Sequence, residues 1–254
     1  MELSILQIIV AIIGGLLAGI INTLAGNGSA ITLSILTELM GLPANVANGT
    51  NRVGILMQGL SANYAFIKNK KVDFAKSKTM IIWMTLGAVL GVYVAINISN
   101  AQFKEVFKFL LIVLFFVVLI KPKKWMSEVS DYRNVPAFVS IPLYICLGFY
   151  GGFIQMGMGV LFLAVTVLLL GYNLIESNAI KNLVVFLYHI VVIAIFQYQG
   201  LIDWKVGGVI GIGQMTGGYL AAQYASTFPN AQIWAYRLLI VVMVIAILSV
   251  FSVF

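Results

Sequence analysis

Polar residues interrupt this chain rarely. Long apolar runs cover residues 3–24, 46–67, 79–97, 103–120, 137–155, 176–196, 206–225 and 233–254, and two short ones cover 29–40 and 160–170. The long runs approach the roughly 20 residues that an α-helix needs to cross about 30 Å of hydrocarbon at about 1.5 Å per residue. The short ones reach only about 18 Å as helices. Each short run follows a glycine-rich break, Ala25-Gly26-Asn27-Gly28-Ser29 in one case and Gln155-Met156-Gly157-Met158-Gly159 in the other. Helical periodicity adds little here, because helices surrounded by lipid and protein are apolar on every side. The pattern predicts an all-α polytopic membrane protein with two glycine-broken helix pairs.

Composition agrees and narrows the class. The chain of 254 residues is 61% apolar and only 9% charged, with a mean hydropathy of +1.04. Soluble domains run nearer half apolar and a quarter charged. A net charge of +7 does not indicate nucleic-acid binding, since the basic residues form no continuous face. One cysteine, Cys146, and one histidine, His189, exclude an internal disulfide and a Cys/His zinc site. No bound cofactor is expected. The first run reads as a retained helix, not a cleavable signal peptide, because Glu2 replaces a basic n-region and the run is longer than a usual h-region.

The two halves resemble each other at an offset of 130. Asn100-Ala101-Gln102 recurs as Asn230-Ala231-Gln232, Val72-Asp73-Phe74 as Ile202-Asp203-Trp204, and Gly41 with Asn48 as Gly171 with Asn178. Each half reads long, short, long, long, long, which divides the chain into a first repeat (1–120), a polar linker (121–136) and a second repeat (137–254). Lysine placement sets the orientation. Loop 68–78 holds Lys68, Lys70, Lys71, Lys76 and Lys78, and the linker holds Lys121, Lys123, Lys124 and Arg133, so both are expected to face the cytoplasm. The counterpart loop, 198–208, holds only Lys205 balanced by Asp203 and is expected outside, as are both chain ends. Matching loops of opposite bias predict inverted-topology repeats, whether each broken pair crosses twice or folds back as a re-entrant hairpin.

Candidate chemistry lies at the breaks and just beyond them. Half-helices starting at Ser29 and near Gly159 would aim free N–H groups at an anion placed by Asn27, Gly28, Gln155 and Gly157. The alternative is a pair of glycine-rich turns at the membrane surface. Asn48-Gly49-Thr50-Asn51-Arg52 faces Asn178-Ala179-Ile180-Lys181-Asn182 in the other half, so each repeat sets one cation beside one amide in swapped order. A cation within an apolar segment is expensive and is a functional candidate, the alternative being headgroup snorkelling. Glu38, Glu176 and His189 are candidate proton carriers, with a packed, hydrogen-bonded role the alternative for His189. Gln58, Asn63, Gln155, Gln197 and Gln214 line a path or hold helices together. The Gly15/Gly19, Gly87/Gly91, Gly148/Gly152 and Gly213/Gly217 pairs have the spacing of close helix crossings. No nucleophile–base pair, nucleotide loop or metal cluster is evident, which argues against an enzyme.

These motifs resemble the TauE/SafE sulfite exporter family. The resemblance rests on the glycine-rich stretch after the first helix, then Ala47-Asn48-Gly49-Thr50-Asn51-Arg52, and in the second half Gly148 to Gly159 followed by Ser177-Asn178-Ala179-Ile180-Lys181-Asn182, where Lys181 stands in the Asn51 position. It covers nearly the whole chain. It implies a secondary transporter of small sulfur-containing anions, sulfite or organosulfonates, in the cytoplasmic (inner) membrane of a bacterium or archaeon. Protons or sodium would be the coupling ion. An anion channel and a structural membrane subunit remain the alternatives.

Overall fold

Local chemistry marks where each helix starts and stops. In the computed structural model, which describes residues 3–97, 115–116, 119–153 and 155–251, the first helix, α1 (Ile5–Leu24), opens on a capping box between Ser4 and Gln7. The short helix α2 (Ser29–Ser34) runs on into a π-helical turn, Ile35–Leu39. Gly41, at φ 66°, then turns the chain ahead of α3 (Ala44–Lys68), which is followed by α4 (Phe74–Ala95). The linker holds a single helical turn, Pro122–Trp125. The second half consists of α5 (Ala137–Phe153), short α6 (Met158–Ala164) with its own π turn Val165–Leu169, α7 (Leu174–Tyr198), α8 (Trp204–Thr227) and α9 (Ala231–Phe251). Asn173 caps α7 by accepting from the Glu176 N–H, and Asp203 caps α8 by accepting from the Val206 N–H. The predicted segment 103–120, apart from Phe115, Phe116, Leu119 and Ile120, lies outside the described residues, as does the Asn100-Ala101-Gln102 signature.

Among the described residues, several elements of the first half recur in the second. The π turns, α3 with α7, and the starts of α4 and α8 are each separated by 130 residues. No strand occurs among the described residues. Among the described residues, three helical stretches are long and apolar enough to cross a membrane by themselves, Ile5–Leu24, Ser77–Ala95 and Leu174–Tyr198. Large apolar side chains cover the outer faces, among them Ile9, Ile13, Leu86, Leu90, Leu220 and Ile245. A protein with that surface belongs in lipid.

Among the described residues, helices pack across the two halves more than within them. Helix α1 crosses α8, and α4 crosses α5, through the predicted glycine pairs. Gly15 and Gly19 lie against the α8 backbone at Ile210 and Gln214, while Gly213 and Gly217 lie against Ile12 and Leu16. The second crossing sets Gly87 and Gly91 against Ile145 and Phe149, and Gly148 and Gly152 against Met84 and Ala88. At each of these glycines a Cβ would collide with main-chain atoms, so only glycine allows this approach. Helices α3 and α7 lie antiparallel. The start of α3 meets the end of α7, where the Asp203 N–H donates to Thr50 Oγ1 at 2.9 Å. At the other end, Lys70, Lys71 and Asp73 share a surface pocket with Asn173, Glu176 and the linker's Glu128. The linker is docked through Trp125, which is fully buried, stacks on Tyr236 at 6.0 Å and donates its indole N–H to the Ile120 carbonyl.

Candidate substrate site at the two helix breaks

A helix that ends inside a membrane leaves its last carbonyls without partners. In this fold each repeat supplies the missing donors to the other. Lys181, on α7, donates to the carbonyls of Asn22 at 2.8 Å and Thr23 at 2.9 Å, and to Asn178 Oδ1 at 2.6 Å. The Asn178 amide donates to the Leu24 carbonyl, and the Asn182 amide reaches that of Thr23. Three residues of α7 thus close the C-terminus of α1. Arg52, on α3, does the same for α5. Its Nη1 donates to the Gly151 carbonyl at 2.7 Å, and its Nη2 to the Gly152 carbonyl at 2.9 Å and to Asn48 Oδ1 at 3.2 Å. Asn48 and Asn178 occupy equivalent positions, and each accepts from the neighbouring cation through Oδ1. Arg52 also lies over the Phe196 ring at 5.5 Å. Neither cation has an acidic partner among the described residues, so each is matched mainly by carbonyls and by the negative end of a helix dipole.

The breaks meet back to back. Gly26 and Gly159 touch along their main chains, and a Cβ on either would overlap the other. Gln155 Nε2 lies 3.4 Å from Ser29 Oγ, linking the second break to the first turn of α2. Gly157, at φ 78°, precedes α6, and Tyr150 Oη donates to the Met156 carbonyl to hold that loop. Beside the contact is a cavity of about 20 Å³ lined by Asn22, Gln58, Gln155, Lys181, Asn182 and Tyr188, room for one water-sized group. Nine buried polar side-chain atoms lack a partner among the described residues: both amide atoms of Asn27, Asn51 Nδ2, Arg52 Nε, Asn63 Oδ1, Gln155 Oε1, Ser177 Oγ, Tyr188 Oη and Gln214 Oε1. Two of these residues, Gln155 and Tyr188, line the cavity. Buried polar groups are normally satisfied, so the two at the cavity need an explanation.

The remaining sequence candidates separate by position. Thr50 and Asn51 are both buried, but Thr50 tethers the loop before α8, while Asn51 Oδ1 accepts from Thr32 Oγ1 at 2.6 Å on α2. His189 adjoins the site: its Nδ1 pairs with the Val185 carbonyl at 2.7 Å and its Nε2 lies 3.4 Å from Arg52 Nη1. Glu38 is exposed on the first π turn, and Glu176 bonds Ser130 and Tyr132 at the surface pocket, so neither carboxylate reaches the breaks. Gln197 pairs with the Trp204 indole near the surface, whereas Gln58, Asn63 and Gln214 bridge helices. Sequence reasoning overlooked Tyr188 as a lining residue. The available signal was its equivalence to the singled-out Gln58 at the offset of 130. It also missed the Asn22 and Thr23 carbonyls, because main-chain acceptors leave no mark on a sequence.

Comparisons with known proteins agree with this architecture. A family model described as "Sulfite exporter TauE/SafE" matches residues 11–250. A "Probable membrane transporter protein" of Haemophilus influenzae is 31% identical over 84% of this chain and 83% of its own length. "Probable membrane transporter protein ORF9" of a Sinorhizobium species is 28% identical over 84% and 81%, and "Probable membrane transporter protein YfcA" of Escherichia coli K12 is 26% identical over 82% and 77%. No solved structure matches the chain. The chain belongs to the TauE/SafE family of membrane transporters, and it is not an enzyme.

Proposed function

We propose, from the chain's membership of the TauE/SafE family, that it is a secondary transporter of small sulfur-containing oxyanions, sulfite or an organosulfonate. It works in the cytoplasmic membrane of a bacterium or archaeon. Two inverted-topology repeats, residues 1–120 and 137–254 joined by a cytoplasmic linker, place the anion where the glycine breaks cross. The antiparallel run of α3 and α7, which hold equivalent positions in the repeats, supports the inversion.

The observation that carries the anion reading is the set of unpartnered donors and amides around two carboxylate-free cations. The site comprises Asn27, Gly28, Ser29, Asn48, Thr50, Asn51 and Arg52 from the first repeat. The second contributes Gln155, Gly157, Gly159, Asn178, Lys181 and Asn182. Lys181 contributes charge more than hydrogen bonds, since its three protons go to Asn22, Thr23 and Asn178. Arg52 keeps one free N–H, at Nε. Among the coupling candidates, His189 touches the site through Arg52, while Glu38 and Glu176 would act on protons or sodium farther out. The cavity must enlarge to admit an anion, as alternating access requires.

The test is a thermal-shift panel of sulfite, thiosulfate, sulfoacetate and carboxylate analogues, followed by flux in proteoliposomes under imposed ion gradients. Stabilisation by the sulfur oxyanions together with gradient-dependent flux is expected. If none of the panel stabilises the protein, the anion reading fails. Flux indifferent to gradients would make it a channel.

A further inference from the structure

We propose that Tyr188 is a specificity-determining residue, its hydroxyl donating to an oxygen of the transported anion. This rests on the anion reading of the cavity at the helix breaks and deepens it. Tyr188 is fully buried on α7, its ring packed among Val184, Val192 and Phe162, while its hydroxyl has no hydrogen-bond partner among the described residues. Polar atoms that deep are ordinarily paired, because a phenol taken out of water gives up hydrogen bonds that nothing restores.

The hydroxyl is held in place with room to act. Gly151 lies directly beneath it, and a Cβ there would stand 2.6 Å from Tyr188 Oη. The same Gly151 gives its carbonyl to Arg52 at 2.7 Å, so one glycine brings the phenol and the guanidinium together. Tyr188 also lines the cavity, as does Gln155, whose Oε1 is likewise unpartnered. An amide can present either its N–H or its oxygen by a half turn about its last bond.

At the offset of 130 the counterpart of Tyr188 is Gln58, which lines the same cavity. Gln58 is fully engaged. Its Oε1 accepts from Asn22 Nδ2 at 3.0 Å, and its Nε2 donates to Thr23 Oγ1 at 3.1 Å and Asn182 Oδ1 at 3.4 Å. Of two equivalent positions facing one cavity, one holds the helices together and the other keeps a donor in reserve. Tyr188 and Gln155 line the cavity, and Arg52, whose Nε is also unpartnered, stands outside that lining and reaches Gly151 beneath the phenol. A sulfite or sulfonate group offers three oxygens to such a set, and a carboxylate offers two.

Full-length protein carrying Tyr188→Phe or Gln58→Met tests this. Melting is measured without anion and with graded sulfite, sulfoacetate and acetate, and uptake is measured in proteoliposomes. Without anion, Tyr188→Phe should melt at or above the wild-type temperature, since it removes an unpaired group, whereas Gln58→Met should melt lower. With anion, Tyr188→Phe should bind sulfite and sulfoacetate about tenfold more weakly, with acetate changed less. Wild type that binds while Tyr188→Phe binds equally well overturns the role of Tyr188 alone. A melting temperature lowered by Tyr188→Phe without anion makes the tyrosine structural and also overturns it. Wild type unmoved by every anion overturns the anion reading, and this proposal with it.

Discussion

At the scale of single residues, the transport role proposed for Lys181 and Arg52 is tied to stability. Removing the Lys181 amine would leave the Asn22 and Thr23 carbonyls without a charged donor. A hydrogen bond to a charged group contributes about 1.5–3 kcal/mol. Lys181→Gln should therefore lower the melting temperature along with transport, by at least one such bond. Arg52→Lys should do likewise, because a single ammonium cannot reproduce the fork that holds Gly151, Gly152 and Asn48 together. Lys70→Gln, on the polar surface pocket, should change neither, since screened surface charges contribute little. Detergent melts and uptake at matched expression decide. Should Lys181→Gln melt like Lys70→Gln, the clamp is not what holds α1. The two cations were legible in the sequence as charges stranded in apolar runs. Their carbonyl partners were not, because Asn22 and Thr23 lie 159 and 158 residues away and act through main-chain atoms that every residue has.

At the scale of elements, the fold depends on two close crossings, α1 with α8 and α4 with α5. Gly217 has no room for a side chain, since its Cβ would meet the Leu16 carbonyl, whereas Gly208 on the same helix has nothing within 4 Å. Gly217→Ala is expected to cost about 1–3 kcal/mol through overpacking. Gly208→Ala should be neutral or stabilise by roughly 0.5–1 kcal/mol, the usual gain for alanine over glycine in a helix. Equal melting temperatures for the two variants would mean that the crossing yields. Much of this level was readable beforehand: apolar runs give helices within a few residues, and small-residue spacing marks where they cross. The π turns at Ile35–Leu39 and Val165–Leu169 were not. An extra residue in a helical turn comes from how its ends are held, and an apolar run of any register looks the same. The linker also differed from its reading as a polar connector, because Trp125 is drawn out of it into the core.

At the scale of the whole molecule, the lysine-rich loop and the linker are expected on one side of the membrane and Asp203 on the other. Lys70 shares its surface pocket with the linker's Glu128, while Asp203 caps a helix beside the start of α3, at the far end from Lys68. Cysteines placed at 70, 124 and 203 in a Cys146→Ser background, labelled from each side of sealed vesicles, should react at 70 and 124 from the cytoplasm and at 203 from outside. Labelling of 70 and 203 from the same side would rule out the inverted arrangement. The cross-repeat clamps, finally, carry a consequence for biosynthesis. The end of α1 is completed by a lysine that emerges from the ribosome 158 residues later, at about 5–20 residues per second a delay of roughly 8–30 s. Through that interval the first half sits in the bilayer with bare carbonyls, so it needs shelter at the insertion machinery until its other half arrives. Two fragments divided at the linker should each be degraded when made alone and accumulate when made together, with pulse-chase lifetimes to show it.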